Sequence, residues 1–164
     1  SGSVPDADLR RPDQVLAALN RGFQGAQHGY KFFTIWYGVF HSPSRTLRYS
    51  SGGHPSAVAL CPGARQSLVL PSTGPVMGVL PETSFPARSS VLPPETRLLI
   101  FSDGVFEIRR HKHAVWSLES CIADIAAMAQ FETAIMDRLL DKARAFRCSA
   151  QLVDDLSLIA ANFL

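Results

Sequence analysis

The sequence predicts an α+β domain with helices packed against sheets. Three observations predict it. A helical apolar stripe lies near the start, a run of short strand-like segments follows between glycine and proline turns, and two more helical stripes precede a final apolar strand. The first stripe begins at Pro12 and places Val15, Leu16, Leu19 and Phe23 on one face, with Gly22 and Gly25 closing it. Residues 30–41 change period. They are rich in aromatic and β-branched residues and apolar on both alternate faces: Phe33, Ile35, Tyr37 and Val39 on one, Phe32, Trp36 and Phe40 on the other. Two apolar faces predict a strand in the middle of a sheet covered on both sides. Ser42-Pro43-Ser44-Arg45 reads as a turn and residues 46–51 as the returning strand of a hairpin. Further strands are expected at residues 56–61, 66–70, 85–92 and 97–101. Beyond Asp103 the period becomes helical. Ser117 is placed to cap a helix carrying Leu118, Ile122, Ile125 and Ala129, and a second helix carries Ile135, Leu139, Ala143 and Phe146. Residues 156–163 form the last strand, directly after Asp154-Asp155.

Composition excludes several classes. The chain has 164 residues, 46% hydrophobic and 18% charged, with 11 Gly and 11 Pro, which suits one globular domain rather than a disordered or collagenous chain. Sixteen basic against fourteen acidic residues leave +2, too small a bias to indicate nucleic acid. The longest apolar stretches are strand-sized, so no membrane span is expected. Cys61, Cys121 and Cys148 lie far apart without CxxC spacing, which argues against a disulfide framework or structural zinc and for a reducing, cytoplasmic compartment. Ser1-Gly2-Ser3 reads as a cloning scar, and no signal peptide follows it.

Three short segments carry candidate chemistry. Phe101-Ser102-Asp103-Gly104 puts an acidic residue at the end of an apolar strand, with a glycine behind it. Asp154-Asp155-Leu156-Ser157 is a carboxylate pair at the start of the last strand; adjacent carboxylates repel unless solvent or a cation compensates. Hard divalent cations prefer oxygen ligands, so carboxylates converging from separate strand ends suit Mg²⁺ or Mn²⁺. Ser51-Gly52-Gly53-His54-Pro55 combines close backbone approach with a histidine at a rigid turn. Each segment also has a plainer reading: a turn, a solvated cap and a tight bend. The remaining histidines show no ligand spacing, Arg109-Arg110-His111-Lys112 reads as a solvated loop, and no P-loop, nucleophile elbow or dinucleotide fingerprint is present.

In order, however, four motifs resemble one family. They are Ser51-Gly52-Gly53-His54-Pro55, the run from Thr73-Gly74-Pro75 through Met77-Gly78 to Leu80-Pro81, Phe101-Ser102-Asp103-Gly104-Val105-Phe106-Glu107, and Asp154-Asp155-Leu156-Ser157-Leu158. Together with the helix of Pro12 to Asn20, they resemble the sporulation-stage-II-protein-E-like branch of the bacterial metal-dependent serine/threonine protein phosphatases, relatives of the type 2C enzymes. The resemblance implies a layered α-β-β-α sandwich with a binuclear Mn²⁺ or Mg²⁺ centre. A metal-activated water there would attack a phosphoserine or phosphothreonine directly. It implies Asp103 and Asp154 as catalytic metal ligands. Asp155, His54, Gly53, Gly104 and Ser102 would sit behind or line the site, and Gly74 and Gly78 would belong to a loop at its rim.

Two departures bear on activity. The family's acidic Gly-Asp strand and its Asp-x-Ser-Gly-His-Gly motif have no counterpart here, since Asp6 and Asp8 lie in a segment without strand pattern. The resemblance therefore implies that residues 4–164 are the C-terminal part of one phosphatase domain, N-terminally incomplete, with weak or absent metal binding and little hydrolysis on its own. The implied parent is a bacterial regulator with an upstream sensor or response-regulator receiver domain. Its implied substrate is a phosphorylated protein of the anti-sigma-factor-antagonist kind. An unpaired sheet edge would favour a homo-oligomer. The alternative from another class is a degenerate phosphatase fold serving as an adaptor or partner-binding output module.

Overall fold

The structure, a computed structural model, describes residues 7–64, 67–106, 116–128, 135–146 and 156–164. In chain order the elements are helix α1 (Pro12–Gly22), a 3₁₀ turn (Gly25–His28), strands β1 (Ile35–His41), β2 (Thr46–Gly52), β3 (Ala57–Leu60), β4 (Leu68–Leu70), β5 (Arg88–Val91) and β6 (Thr96–Phe101), a second 3₁₀ turn (Asp103–Val105), helices α2 (Leu118–Met128) and α3 (Ile135–Phe146), and strand β7 (Leu158–Phe163). The chain divides into two compact units, residues 1–54 with 71–93 and residues 55–70 with 94–164.

The first unit is a three-stranded antiparallel sheet, order β1-β2-β5, with α1. Pro12 opens α1 where no intrahelical N–H bond is needed, and Asp13 and Arg21 complement the helix dipole at its two ends. Val15 and Leu16 are buried with Met77 and Phe85, and Leu19, Phe33, Ile35 and Tyr37 pack on that cluster. Each fully buried aliphatic side chain contributes about 1.5–3 kcal/mol. Arg11 pairs with Asp13 at 2.9 Å, and Arg48 of β2 reaches the same carboxylate at 3.4 Å, tying the helix start to the sheet.

Here the structure corrects the reading of β1 as a middle strand. Among the described residues it stands at the end of its sheet order, paired along its length with β2. Its two faces are apolar for different reasons. Ile35 and Tyr37 pack on the α1 cluster, whereas Trp36, on the alternate face, stacks on Tyr49 with ring centroids 5.4 Å apart. The strand also starts later than its composition suggests. Gly29 (φ 67°) and Tyr30 (φ 58°) are both left-handed, which turns the chain, and Phe33 makes only an isolated bridge to Met77.

The second unit is a four-stranded antiparallel sheet, order β4-β3-β6-β7, with α2 and α3. Its core gathers Val58, Leu99 and Phe101 from the strands with Cys121, Ile125, Leu139 and Ala143 from the helices. Ser117 caps α2 as expected, its Oγ accepting the Ser120 N–H at 3.2 Å. The α3 stripe Ile135, Leu139 and Ala143 is buried as its period requires, whereas the fully buried positions of α2 are Cys121 and Ile125, with Leu118 and Ile122 half-buried beside them. Trp116 Nε1 donates to Asp124 at 2.9 Å, and Asp124 in turn pairs with Lys142, joining α2 to α3. Among the described residues no helix is long and apolar enough to cross a membrane.

Candidate active site

Asp103 is displayed by a short, firmly anchored turn. β6 ends at the buried Phe101, Ser102 stays extended, and the chain then tightens through a Val105 N–H bond to Ser102 O (3.1 Å) and a Phe106 N–H bond to Asp103 O (2.9 Å). Val105 and Phe106 are buried, and Phe106 meets Phe101 edge to face at 6.1 Å. Apolar residues thus fix the turn on both sides and leave the Asp103 carboxylate exposed. Its Oδ1 accepts the N–H of the buried Gly104 at 3.0 Å, which orients the group and leaves Oδ2 open among the described residues.

Ser102 ties this turn to the last strand. Its N–H donates to Ser157 O at 3.0 Å, and its Oγ accepts the Ser157 N–H at 2.9 Å, one step beyond the Phe101–Leu158 pair. The two serines therefore join the Asp103 motif to the segment that follows Asp154-Asp155 in the chain. Asp154 and Asp155 themselves lie outside the described residues, as do the 109–112 basic run and Cys148.

In the first unit the structure brings the other two motifs together. Ser51 N–H donates to Thr73 Oγ1 (2.8 Å), Thr73 N–H returns a bond to Ser51 Oγ (2.9 Å), and Gly53 N–H donates to Gly74 O (2.8 Å). Gly53 is required on two counts. Its φ is +67°, and a Cβ there would stand 2.7 Å from Val76 Cα, a backbone atom that cannot move aside cheaply. His54 follows it, half-buried.

One residue escaped sequence reasoning. Asn20, on the last turn of α1, is fully buried and holds the Gly74–Pro81 loop by three bonds. Its Oδ1 accepts the Gly78 N–H at 2.8 Å, and its Nδ2 donates to Leu80 O (2.7 Å) and Pro81 O (3.2 Å). The signal was present: Asn20 stands four residues after Leu16, a polar group on the apolar stripe.

Chemically, the described part of the strand-end motif presents one oriented carboxylate, that of Asp103. No three His, Cys, Asp or Glu side chains among the described residues gather as a metal-binding group. A single carboxylate does not build a two-metal centre, so the described residues do not fit one by themselves.

Comparison with known proteins is consistent across sequence and fold. The family model for stage II sporulation protein E (SpoIIE) matches residues 3–164. Protein IcfG of Synechocystis sp. is 25% identical over 145 residues, covering 87% of this chain and 23% of that protein. The SiaA-PP2C domain of Pseudomonas aeruginosa superposes with TM-score 0.77 at 11% identity, covering 94% of this chain and 61% of that one. The RsbU and RsbW domains of a Mycobacterium tuberculosis protein give 0.67 at 23% identity, with coverages of 92% and 42%. The manganese-presoaked SpoIIE phosphatase domain of Bacillus subtilis gives 0.61 at 15% identity, with coverages of 93% and 64%. At such identities these structures show the fold, which is that of PP2C phosphatase domains. The chain spans under a quarter of its curated relative and less than two thirds of each of these solved chains.

Proposed function

The chain belongs to the SpoIIE family, and from that premise we propose that it is part of a domain that dephosphorylates phosphoserine or phosphothreonine in a bacterial signalling or sigma-factor circuit. The observation that carries the reading is the Asp103 turn. An exposed carboxylate at a strand end is locked between buried apolar anchors and tied by Ser102 to the segment after Asp154-Asp155. Such rigidity serves a group that must hold a ligand in fixed geometry and is superfluous in a solvated turn. In this reading Asp103 and Asp154 are this chain's ligands to Mn²⁺ or Mg²⁺, which would supply a water activated at neutral pH. The remaining ligands would have to come from the family's acidic Gly-Asp and Asp-x-Ser-Gly-His-Gly motifs, which residues 1–164 do not contain. The 164-residue chain alone binds metal weakly. The substrate is a phosphorylated protein of the anti-sigma-factor-antagonist class, and an upstream sensor or receiver domain sets the activity in the cytoplasm.

The test is phosphate release from a phosphoprotein or from p-nitrophenyl phosphate, for the 164-residue chain and for a polypeptide extended to carry the acidic Gly-Asp and Asp-x-Ser-Gly-His-Gly motifs. The extended protein should turn over with Mn²⁺ and stop with EDTA, while the shorter chain stays near background. Metal-independent turnover, or none in the extended protein, would overturn the catalytic reading and leave the adaptor reading in its place.

A further inference from the structure

The first unit holds a cavity of about 450 Å³ whose walls come from three elements: the first two turns of α1, β2 at Arg48, and residues 84–87. These walls are anchored to one another. Val15 and Leu16 of α1 are buried with Phe85 in one cluster, and the buried Ser50 Oγ of β2 donates to Phe85 O at 3.0 Å and to Pro86 O at 3.3 Å. The cavity is therefore pre-formed, and its volume suits a small molecule, whose sites span about 300–1,000 Å³.

The polar groups of the lining select the charge of an occupant. Asp13 is already engaged: its Oδ2 accepts Arg11 Nη2 at 2.9 Å and its Oδ1 accepts Arg11 Nε at 3.3 Å. The Arg11 bond is the main reason that the Asp13 carboxyl lies below its ordinary range, and the charge of Arg48 is the smallest. Arg48 reaches Asp13 Oδ1 through Nη2 alone, at 3.4 Å, and has no other partner among the described residues. Most of its guanidinium donors are thus left for the cavity. Gln14 Nε2 and the Ser84 hydroxyl, also in the lining, have no partner among the described residues. The other charges on these segments do not line the cavity. Asp8 Oδ1 accepts the Arg10 N–H at 2.9 Å, Glu82 stands two residues before Ser84, and Arg88 is in register with Tyr49, on the face opposite Arg48. Spare donors beside an engaged carboxylate fit a monoanion, whereas a phosphate dianion would set its second charge against Asp13.

We propose that this cavity binds a small organic carboxylate, its oxygens on Arg48, Gln14 and Ser84 and its apolar body against Ala17 and Pro86. No His or Cys lines the cavity, and its one carboxylate is engaged, so the site recognises its ligand without transforming it. The inference does not depend on the phosphatase reading, which rests on Asp103 of the second unit.

The test is a ¹⁵N–¹H NMR titration of the 164-residue chain with sodium benzoate at constant ionic strength. Benzoate should shift the Arg48 Nε–H and Gln14 side-chain amide signals saturably, with a dissociation constant of about 10 mM or below. Neutral benzamide and inorganic phosphate should bind at least about tenfold more weakly. Arg48→Gln should weaken benzoate by about tenfold or more with little change in the melting curve, because its exposed ion pair contributes little to stability. Ala17→Leu fills the cavity from the helix side and should abolish the shifts, while Glu82→Gln should leave the affinity within about twofold. Four outcomes would overturn the proposal: no saturable shift at about 50 mM benzoate, benzamide or phosphate bound as tightly as benzoate, indifference to Arg48→Gln, or shifts that persist in Ala17→Leu.

Discussion

Replacing Asn20 by alanine removes the three bonds that hold the 74–81 loop to α1, and their surroundings set the cost. The Gly78 N–H bond to Oδ1 is buried, so the truncated protein strands a donor that water cannot easily reach. A stranded buried donor costs about 1–3 kcal/mol. The bonds to Leu80 O and Pro81 O are only part-buried, and those residues are exposed, so their carbonyls recover solvent. They contribute about 0.5 kcal/mol each, the low end for a neutral bond. The sum is about 2–4 kcal/mol, dominated by one bond. Urea unfolding followed by circular dichroism reads it as a lower midpoint at unchanged slope. Asn20→Asp separates the contributions, since it keeps an acceptor for Gly78 but buries a charge and loses both donated bonds; it should be at least as damaging as alanine. A loss below about 0.5 kcal/mol for Asn20→Ala would refute the buried Gly78 bond as the main anchor of the loop.

Other substitutions probe the remaining elements. Ser102→Ala removes the acceptor for the Ser157 N–H; because Ser157 is exposed the loss should be about 0.5–1.5 kcal/mol, accompanied by faster hydrogen exchange at Ser157. Ser102→Thr, which keeps the hydroxyl, should restore both. Leu139→Ala, at a fully buried site in the second core, should cost about 2–5 kcal/mol by thermal or urea unfolding. Burial pushes the Cys121 thiol from 9.0 up to about 12, with Asp124 adding to the rise, so the folded state favours the neutral thiol. That contribution is complete below pH 9 and is lost as pH rises toward 12, because the unfolded chain ionises first. Cys121 should therefore resist Ellman's reagent at pH 8 until the protein unfolds, and Cys121→Ala should flatten the alkaline fall in stability.

Legibility in the sequence followed the range of each interaction. Helices α1 and α3 and the Ser117 cap were readable because apolar period and capping act within a few residues. The Asp103 turn was readable because a strand, a carboxylate and a glycine are contiguous. The neighbours of β1 were not readable, since an alternating pattern reports which faces are covered and is silent on which edges are paired. The left-handed Gly29-Tyr30 pair hid the true start of that strand, because aromatic composition continues through the turn. The Asn20 bonds to the loop span 58 to 61 residues and the Ser102–Ser157 pair 55; the stripe marks Asn20 as a buried polar group, but its period does not name partners so far along the chain.

The account turns on Asp103 as a functional carboxylate rather than a turn residue. Its exposed position means that Asp103→Asn should leave the melting temperature and the circular dichroism spectrum unchanged, since the amide oxygen can still accept the Gly104 N–H. The decisive measurement is Mn²⁺-dependent phosphate release by the extended protein carrying Asp103→Asn, assayed beside the unsubstituted protein. A fall of about a hundredfold or more with the fold intact is the predicted result. Turnover equal to that of the unsubstituted protein would contradict the assignment.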